Sequence, residues 1–320
     1  MKLASIPGLV WKDRLGVHVN DAAQLLTLGS ELEVANSFDF LDATLYRPHN
    51  WHSWTAAKDD SSYASILTSL SCPFRCSFCC IASPFGGSGQ GHRLWPPKQV
   101  ADLITDLVHK TNVYNLKIVD EMFCLNRQHV LGICDGLIER GLGNKLNMWA
   151  YARVDTVKDT EMLEKMRRAG FRWLGIGVES GSKHVRDGVD KGRFGEDDIR
   201  AAIARVRAAG IVVAANYIFG LPDDTRETMQ ATLDLACELN TEWANFYCAM
   251  AYPGSPLHKM AVEKGWPLPE GPGGPGWIGY AQHTYEAMPL PTWSLTSAQV
   301  LDFRDKAFME YFGRPDYLHM

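Results

Sequence analysis

The feature that most constrains the fold is a regular alternation of apolar, strand-like runs with amphipathic segments, which begins near residue 63. Strands that alternate with helices of this length favour a parallel sheet with right-handed crossovers. Because the pattern predicts six strands rather than eight, we expect an α/β fold in the form of an open, partial (βα)6 barrel. The predicted strands are 64–70, 116–119, 146–151, 173–178, 212–218 and 243–250, and the predicted helices are 97–110, 129–140, 160–169, 197–209 and 225–239.

The chain is predicted to have three parts. These are an N-terminal hairpin and linker appendage at 1–60, the partial barrel at 61–258, and a C-terminal loop and helical extension at 259–320. The segment 265–279 is rich in proline and glycine, which disfavours continuous regular structure and predicts either a lid or a surface insertion. A last amphipathic helix is predicted from a cap at Thr296 or Ser297 to about Phe312.

The composition bounds the class of protein. The chain has 320 residues, of which 46% are apolar, so it can bury a sizeable core in one large domain or two modest ones. Its 32 basic and 37 acidic residues give a net charge of −5 without a long basic run, which argues against a nucleic-acid partner. No apolar stretch approaches the roughly 20 residues that span a membrane, and the N-terminus lacks the apolar core of a secretion signal. We therefore expect a cytoplasmic protein with reduced cysteines.

Three cysteines come directly after the first predicted strand. Cys72, Cys76 and Cys79 have C-x3-C-x2-C spacing, which allows one loop to direct three thiolates at one group. An ordinary iron–sulfur cluster has four cysteine ligands, so a cubane bound here would keep one iron open for a substrate or cofactor. Zinc is the alternative, but a structural zinc site needs four ligands, usually in two short pairs. No second pair is visible, and Cys80 is expected to lie beside the group without binding it.

Polar residues lie within or directly after the later predicted strands. Ligands of parallel α/β folds bind at the carboxyl ends of the strands, so these residues are expected to share one mouth with the cysteine loop. They are Asp120, Arg153, Glu179, Asn216 and Asn245. A polar-aromatic cluster with two histidines at 46–54 precedes the first strand and predicts a packed loop, with a metal or substrate site as the alternative.

The cysteine loop resembles the signature of the radical S-adenosylmethionine (SAM) superfamily through Cys72, Cys76, Phe78 and Cys79. The resemblance implies a radical SAM barrel with a [4Fe–4S] cluster, whose open iron is chelated by the amino and carboxylate groups of SAM. It also implies an external electron donor such as flavodoxin or ferredoxin. One electron then cleaves SAM to methionine and a 5′-deoxyadenosyl radical, which abstracts a hydrogen atom from a small-molecule substrate.

The resemblance assigns contacts with SAM to residues at the strand ends. Glu179, with Ser180 beside it, would contact the ribose or the amino group, and Asn216 would contact the ribose. Lys191 and Arg153 would pair with the carboxylate, because a cation offsets an anion in a partly desolvated site.

Three further SAM contacts follow from the same resemblance. Phe78 and the Ile218 backbone would flank the adenine ring. Asp120 would meet the amino group, although residues 119–121 are Val-Asp-Glu here, where many relatives have Gly-Gly-Glu. This departure makes the amino-group contact the least secure of the assignments.

Residues near the sixth predicted strand are expected to act on the substrate. Asn245, Tyr247 and His283 are predicted to orient it, and Tyr252 is a catalytic candidate at the same mouth. Cys248 is predicted either to donate a hydrogen atom to a substrate radical or to be a small buried apolar residue.

Three further segments, 149–155, 220–224 and 251–256, resemble the class that carries a cobalamin-binding domain ahead of its radical SAM domain. Residues 6–10, Ile-Pro-Gly-Leu-Val, resemble the segment at which that class leaves its cobalamin domain, and no D-x-H-x-x-G-like loop precedes Cys72. We expect one of three explanations, namely a truncation, a partner subunit that carries cobalamin, or an enzyme that has lost it.

The predicted function is hydrogen abstraction from a natural-product or sugar-like substrate by a radical SAM enzyme that does not use cobalamin. The first alternative is a C-methyltransferase whose cobalamin comes from a missing domain or a partner subunit. A tRNA-modifying methylthiotransferase is less favoured, because neither of its additional domains is visible. The alternative from another class is a non-catalytic iron–sulfur subunit, which the full set of strand-end residues argues against.

Overall fold

The structure, a computed structural model, describes residues 2–31, 42–46, 62–81, 83–84, 91–192 and 194–320. Residues 47–54 of the predicted polar-aromatic cluster therefore lie outside the described residues. The strands are β1 (Val10–Asp13), β2 (Gly16–Val19), β3 (Ser62–Ile66), β4 (Ser69–Leu70), β5 (Arg93–Leu94), β6 (Val113–Ile118), β7 (Asn147–Arg153), β8 (Phe171–Glu179), β9 (Val212–Phe219) and β10 (Trp243–Cys248). The α-helices are α1 (Pro97–Thr111), α2 (Arg127–Glu139), α3 (Thr160–Ala169), α4 (Lys183–Gly188), α5 (Glu196–Ala208), α6 (Arg226–Leu239), α7 (Pro256–Lys264), α8 (Ser297–Gly313) and α9 (Pro315–Leu318). Within these ranges, no helix has the length and apolar character that crossing a bilayer requires.

A curled sheet of six parallel strands forms the centre of the fold. Its strand order is β3-β6-β7-β8-β9-β10, so every crossover connection advances the chain by one strand, as in a barrel. The two edge strands, β3 and β10, do not pair with each other, which leaves the barrel open. The predicted partial (βα)6 barrel is confirmed.

The two faces of this sheet carry different side chains, because successive residues of a strand point to opposite faces. The outer face is aliphatic, with Leu116, Met148 and Ile176 buried in a core that the helices share. On the inner face, Trp149 and Trp173 stack with ring centroids 5.2 Å apart and form a separate buried cluster. Both tryptophans are the third residues of their strands, so they fill the amino-terminal half of the inner face. A ligand on this face must therefore lie towards the carboxyl ends.

The first predicted strand, 64–70, is divided in the structure. β3 ends at Ile66, and β4 leaves the sheet to pair with β5 in a separate antiparallel ribbon. The break lies at Thr68 and Ser69, whose hydrogen-bonding groups turn towards the carboxylate of Asp120. Sequence periodicity missed the break because a run of small and apolar residues is compatible with one continuous strand.

Three of the α-helices were not predicted. α4 and α9 are short, and α7 follows the sixth strand, where the chain was expected to continue as loop. The start of α7 has a recognisable local signal, since the Ser255 side chain accepts a hydrogen bond from the His258 N–H and Pro256 occupies the first turn. The predicted last helix is present as α8, whose Phe303 packs on Phe219 at 5.0 Å and thereby covers the outer face near the sheet edge.

The N-terminal hairpin and the proline-rich segment follow the sequence analysis. β1 and β2 pair antiparallel, and Trp11 stacks on His18 with centroids 4.1 Å apart. Between α7 and α8, the only helical element of the described chain is a 3-10 helix, Gly276–Tyr280. The segment 265–275 is irregular, as its proline and glycine content predicts.

The turn after β9 is held by a buried carboxylate. Asp224 is 1% exposed and accepts hydrogen bonds from the backbone N–H groups of Gly220 and Leu221, both at 3.0 Å, and from the Thr228 hydroxyl at 2.7 Å. Burial raises the pKa of Asp224 to about 6, although the hydrogen bonds oppose this shift. The folded chain therefore holds a proton on this group more tightly than the unfolded chain does.

We expect Asp224→Asn to remove one component of the pH dependence of stability. The raised pKa stabilises the folded wild type fully below about pH 4 and no longer does so above about pH 6, so this component falls as pH rises. Its size is on the order of 3 kcal/mol. Urea unfolding of both proteins between pH 4 and 7 measures it as the difference between the two curves. Parallel curves over that range would contradict the prediction.

Candidate active site

The cysteine loop is fixed to the carboxyl ends of the strands. It starts directly after Ser71, whose backbone has a positive φ of 75°, a rare conformation for a residue other than glycine. The Ser77 N–H donates to the Val189 carbonyl at 3.0 Å, and the Ser77 carbonyl accepts from the Leu257 N–H at 2.8 Å. The loop is thus bound both to the segment after α4 and to the first turn of α7.

The three motif cysteines lie close enough to interact electrostatically. All three are free thiols. Burial raises the pKa of Cys79 to about 11, and Cys76, Cys80 and Cys72 each raise it further. In the described part of the chain, no three His, Cys, Asp or Glu side chains converge on a single metal ion. A structural zinc site needs four ligands, whereas three thiolates suffice for a cubane with one open iron, so the loop's three motif cysteines suit a cluster.

Arg153, at the end of β7, lies against this loop. It is 2% exposed, and its guanidinium lies 3.7 Å from the centroid of the Phe74 ring. Its Nη1 is 3.5 Å from the Sγ of Cys76, and its Nε donates to Asp155 at 2.9 Å. Its Nη2 also donates to the Lys191 carbonyl. The structure therefore brings the predicted cation to the cluster loop and couples it to the segment that carries Lys191.

Glu179 and Lys191 form a buried ion pair. Their side chains are 9% and 7% exposed, and Lys191 Nζ is 2.5 Å from Glu179 Oε1. Glu179 has a φ of 67° and follows a register shift between β8 and β9, so its backbone is strained by about 1–3 kcal/mol. Gly177 makes room for the pair, since a methyl group there would lie 2.5 Å from the Glu179 oxygen. Strain of this kind often accompanies a functional site.

The two asparagines predicted for SAM and for substrate are neighbours on the sheet. Asn216 of β9 and Asn245 of β10 are register partners, and Asn245 Nδ2 donates to Asn216 Oδ1 at 2.9 Å. Trp243 donates its indole N–H to Asn245 at 2.7 Å, which fixes the orientation of that amide. Both asparagines are half-buried, so they are accessible from the inner face.

A small cavity opens beside the cysteine loop at the ends of β9 and β10. Its volume is about 210 Å³, and its lining includes Phe78, Ile218, Tyr247, Tyr252 and Gln282. Ligand sites for whole drug-sized molecules are usually larger, about 300–1,000 Å³, so this cavity suits a single ring system. The two residues predicted to flank adenine thus border one space.

Two residues that were predicted to contact SAM are buried and form hydrogen bonds with other residues of the chain. Asp120 is 1% exposed, and its oxygens accept three hydrogen bonds of 2.6 Å from Thr68 and Ser69. Ser180 is fully buried, and its hydroxyl pairs with Thr232 at 3.1 Å. These contacts favour a structural role for both side chains over the predicted contacts with SAM.

Glu121 is a candidate that the sequence analysis passed over. Burial raises its pKa, and its Oε2 is buried without a hydrogen-bond partner among the residues that the structure describes. It also acts on the Cys72 thiol, whose pKa is raised mainly by burial and slightly by this carboxylate. Its position next to Asp120 was visible in the sequence, but its free oxygen was not.

The predicted substrate residues are divided between two surroundings. Tyr247 and Tyr252 line the cavity, and the ring of His283 lies 6.2 Å from that of Tyr247. Burial raises the pKa of Tyr247 to about 12, so its phenol stays protonated. Tyr252 donates to the Tyr280 carbonyl at 3.3 Å.

Cys248 is placed differently from Tyr247. It borders the same cavity but is 2% exposed and belongs to the core that the helices share. It alternates with Tyr247 along β10, on the same face as Phe246, whose ring packs on Tyr311 of α8 at 5.5 Å. The structure therefore favours the buried apolar alternative over a hydrogen-atom donor for this thiol.

Comparison with known proteins identifies the family. Residues 66–236, more than half of the chain, match the Radical SAM superfamily. An uncharacterised methyltransferase of Pyrococcus horikoshii is 25% identical over 99% of this chain and 63% of its own length. The anaerobic magnesium-protoporphyrin IX monomethyl ester cyclase of Cereibacter sphaeroides is 32% identical over 58% of this chain and 30% of its own length. The chain thus spans less than two thirds of either relative.

A solved structure shows the same fold. The radical SAM methyltransferase TsrM of Kitasatospora setae, determined with cobalamin and a [4Fe–4S] cluster bound, aligns with a TM-score of 0.64 and 21% identity. The alignment covers 82% of this chain and 50% of that one. The superfamily requires a [4Fe–4S] cluster and SAM, so the cofactors inferred from the cysteine loop are confirmed. With its three-cysteine loop at the mouth of a partial barrel, this chain belongs to the radical SAM superfamily.

Proposed function

We propose that this chain is the SAM-cleaving part of an enzyme that transfers a methyl group to carbon in a small organic molecule, with cobalamin as a second cofactor. The observation that carries the SAM site is the meeting of the cysteine loop, the cation Arg153 and the Glu179–Lys191 pair at one end of the sheet. The relatives named as methyltransferases, together with the cobalamin bound in TsrM, support methyl transfer over the hydrogen abstraction first predicted.

Cys72, Cys76 and Cys79 would hold the cluster in this proposal. When bound, the cluster would supply the electron for reductive cleavage of SAM. The chain's own contribution would be to hold SAM beside the cysteine loop. Phe78 and Ile218 border a cavity of suitable size for the adenine ring, which supports a nucleoside site at the ends of β9 and β10.

The polar groups around this cavity would fix the rest of SAM. Asn216 lies on the inner face beside Gly177 and can reach a ribose hydroxyl. Lys191 is the cation nearest to Glu179, and their pairing offers one positive and one negative group to the zwitterionic end of SAM. For the ammonium group, we favour Glu121 over Asp120, because a buried carboxylate oxygen that has no hydrogen-bond partner in the described part of the chain gains most from a cation.

The substrate is proposed to enter from the inner face of the sheet. Trp149 and Trp173 close the amino-terminal half of that face, so the substrate must lie above them, towards SAM. Asn245 and Tyr247 are half-buried there and present an amide and a protonated phenol. Tyr252 lies at the rim of the cavity, and His283 is exposed beside it.

Anaerobic reconstitution tests this proposal. The chain is loaded with iron and sulfide, reduced with dithionite, and given SAM with a deuterated methyl group, with and without aquacobalamin. Methyl transfer predicts that the deuterated methyl group passes from SAM to the reduced cobalamin, which gives deuterated methylcobalamin and S-adenosylhomocysteine, and that neither product forms when cobalamin is left out. 5′-Deoxyadenosine with no cobalamin dependence would instead support the hydrogen-abstracting enzyme. An intact, reducible cluster that leaves SAM uncleaved under both conditions would identify a non-catalytic iron–sulfur subunit.

A further inference from the structure

The surroundings of Arg153 point to a task beyond binding the SAM carboxylate. Its guanidinium is held on every side: Nε and Nη2 donate to Asp155 at 2.9 and 3.1 Å, and Nη2 donates to the Lys191 carbonyl. One face covers Phe74 at 3.7 Å. The remaining nitrogen, Nη1, lies 3.5 Å from the Sγ of Cys76, within reach of a hydrogen bond to sulfur.

These contacts leave little freedom for the cation. The side chain is 3% exposed, so water cannot screen its charge effectively. A guanidinium does not lose its proton in a protein, and a ring on one face with carboxylate and carbonyl acceptors along two edges prevents rotation. To bind the carboxylate of SAM, Arg153 would have to leave Asp155. The arrangement is suited to a permanent positive charge beside one cluster ligand.

A fixed cation beside a cluster ligand changes how easily the cluster accepts an electron. The added electron is spread over irons and sulfurs, and a positive N–H directed at a ligand sulfur stabilises the reduced form more than the oxidised form. Hydrogen bonds to sulfur, net charge and solvent exposure are known determinants of cluster potentials. Asp155 opposes this effect, because its carboxylate neutralises part of the same charge.

We infer that Arg153 raises the reduction potential of the cluster through its N–H contact with Cys76, and that Asp155 limits the increase. The inference rests on the proposed function only in requiring that Cys72, Cys76 and Cys79 hold the cluster. The step concerned is a one-electron reduction of the cluster from the 2+ to the 1+ state by an external low-potential reductant. It requires no proton and no bond change.

The inference predicts shifts of opposite sign for two neighbouring substitutions. Arg153→Gln should lower the midpoint potential, so that the ratio of reduced to oxidised cluster at the wild-type midpoint falls about tenfold, as for loss of one charge-assisted hydrogen bond. Arg153→Lys keeps the charge and should recover part of the shift. Asp155→Asn should raise the potential, because it removes the opposing charge and leaves Arg153 in place.

Redox titration with dithionite, followed by the electron paramagnetic resonance signal of the reduced cluster, measures these shifts on the reconstituted full chain without SAM. Arg186→Gln is the matched control, since Arg186 is also fully buried, lies over Phe194 at 5.2 Å, and is bonded to carbonyls and to Glu196. It donates to no cysteine among the described residues, so its loss should reduce stability while leaving the potential unchanged.

Several results would overturn the inference. Equal shifts for Arg153→Gln and Arg186→Gln would mean that any buried cation matters, and a negative shift for Asp155→Asn would contradict the assigned sign. If the Arg153→Gln variant binds no cluster, the inference is tested by Asp155→Asn alone, through the sign of its shift in midpoint potential. If the wild-type cluster is reduced but SAM is not cleaved, the proposed function is wrong, and the inference about the reduction potential is unaffected. A wild-type chain that takes up no cluster would remove both.

Discussion

Replacement of Cys76 by alanine is expected to abolish the cluster and to reduce 5′-deoxyadenosine formation to background. Two thiolates cannot hold a cubane whose fourth iron must stay open for SAM. The substitution should leave the chain folded, because removing one thiol from the loop costs only about 1 kcal/mol. Iron and sulfide content and visible absorbance after anaerobic reconstitution measure the cluster, mass spectrometry measures the nucleoside products, and far-ultraviolet circular dichroism measures the fold.

Cys80→Ala is the matched control for this substitution. Cys80 follows Cys79 directly, is half-buried, and lies outside the C-x3-C-x2-C spacing. The Cys80→Ala variant should still bind the cluster and cleave SAM. Undiminished cleavage in Cys76→Ala would remove the assignment of Cys76 as a ligand, and loss of the cluster in Cys80→Ala would show that the wrong set of thiols was chosen.

Lys191→Met is expected to give the largest loss of stability among the site substitutions. It leaves the carboxylate of Glu179 buried without its cation, and breaking a buried pair on one side costs about 3–5 kcal/mol. Retention of SAM by the reconstituted protein should fall as well, since the proposed zwitterion site loses its positive group. Urea unfolding and equilibrium dialysis with radiolabelled SAM measure the two effects.

An exposed ion pair in the same chain provides the control. Lys98 and Asp102 of α1 are 2.7 Å apart, with side chains 82% and 44% exposed. Lys98→Met should change the free energy of unfolding by less than about 1 kcal/mol. The double variant Glu179→Gln/Lys191→Met should be more stable than Lys191→Met alone, because no buried charge remains unpaired. If Lys191→Met were as stable as wild type, the pair would be solvated in solution.

The partial barrel and the place of its chemistry could be predicted from the sequence because both depend on local patterns. Hydrophobic periodicity separates strands from helices, and the carboxyl ends of parallel strands always meet at one edge of the sheet. The cysteine loop therefore came out at the mouth with Arg153, Glu179 and Asn216. The errors in this region were local as well, such as the undivided first strand and the missed α7.

The sequence carries less information about the role of a single side chain, because that role depends on which partner each group finds. Asp120 and Cys248 illustrate this. Both lie at the expected strand ends, yet Asp120 is occupied by Thr68 and Ser69, and Cys248 alternates onto the outer, helix-covered face. Neither partner set is near in sequence to the residue concerned, so spacing carries no information about it.

The sequence by itself determined that this chain has an α/β fold with three cysteines that can hold one cluster, since spacing and periodicity act within a few residues. Only the tertiary structure decided that Arg153 lies against Cys76, that Glu179 is paired with Lys191, and that one buried oxygen of Glu121 finds no hydrogen-bond partner among the described residues. Arg153 and Cys76 are 77 positions apart. Contacts over such separations follow from the topology of the sheet. Its order places the carboxyl ends of successive strands side by side, regardless of the length and sequence of the segments that connect them.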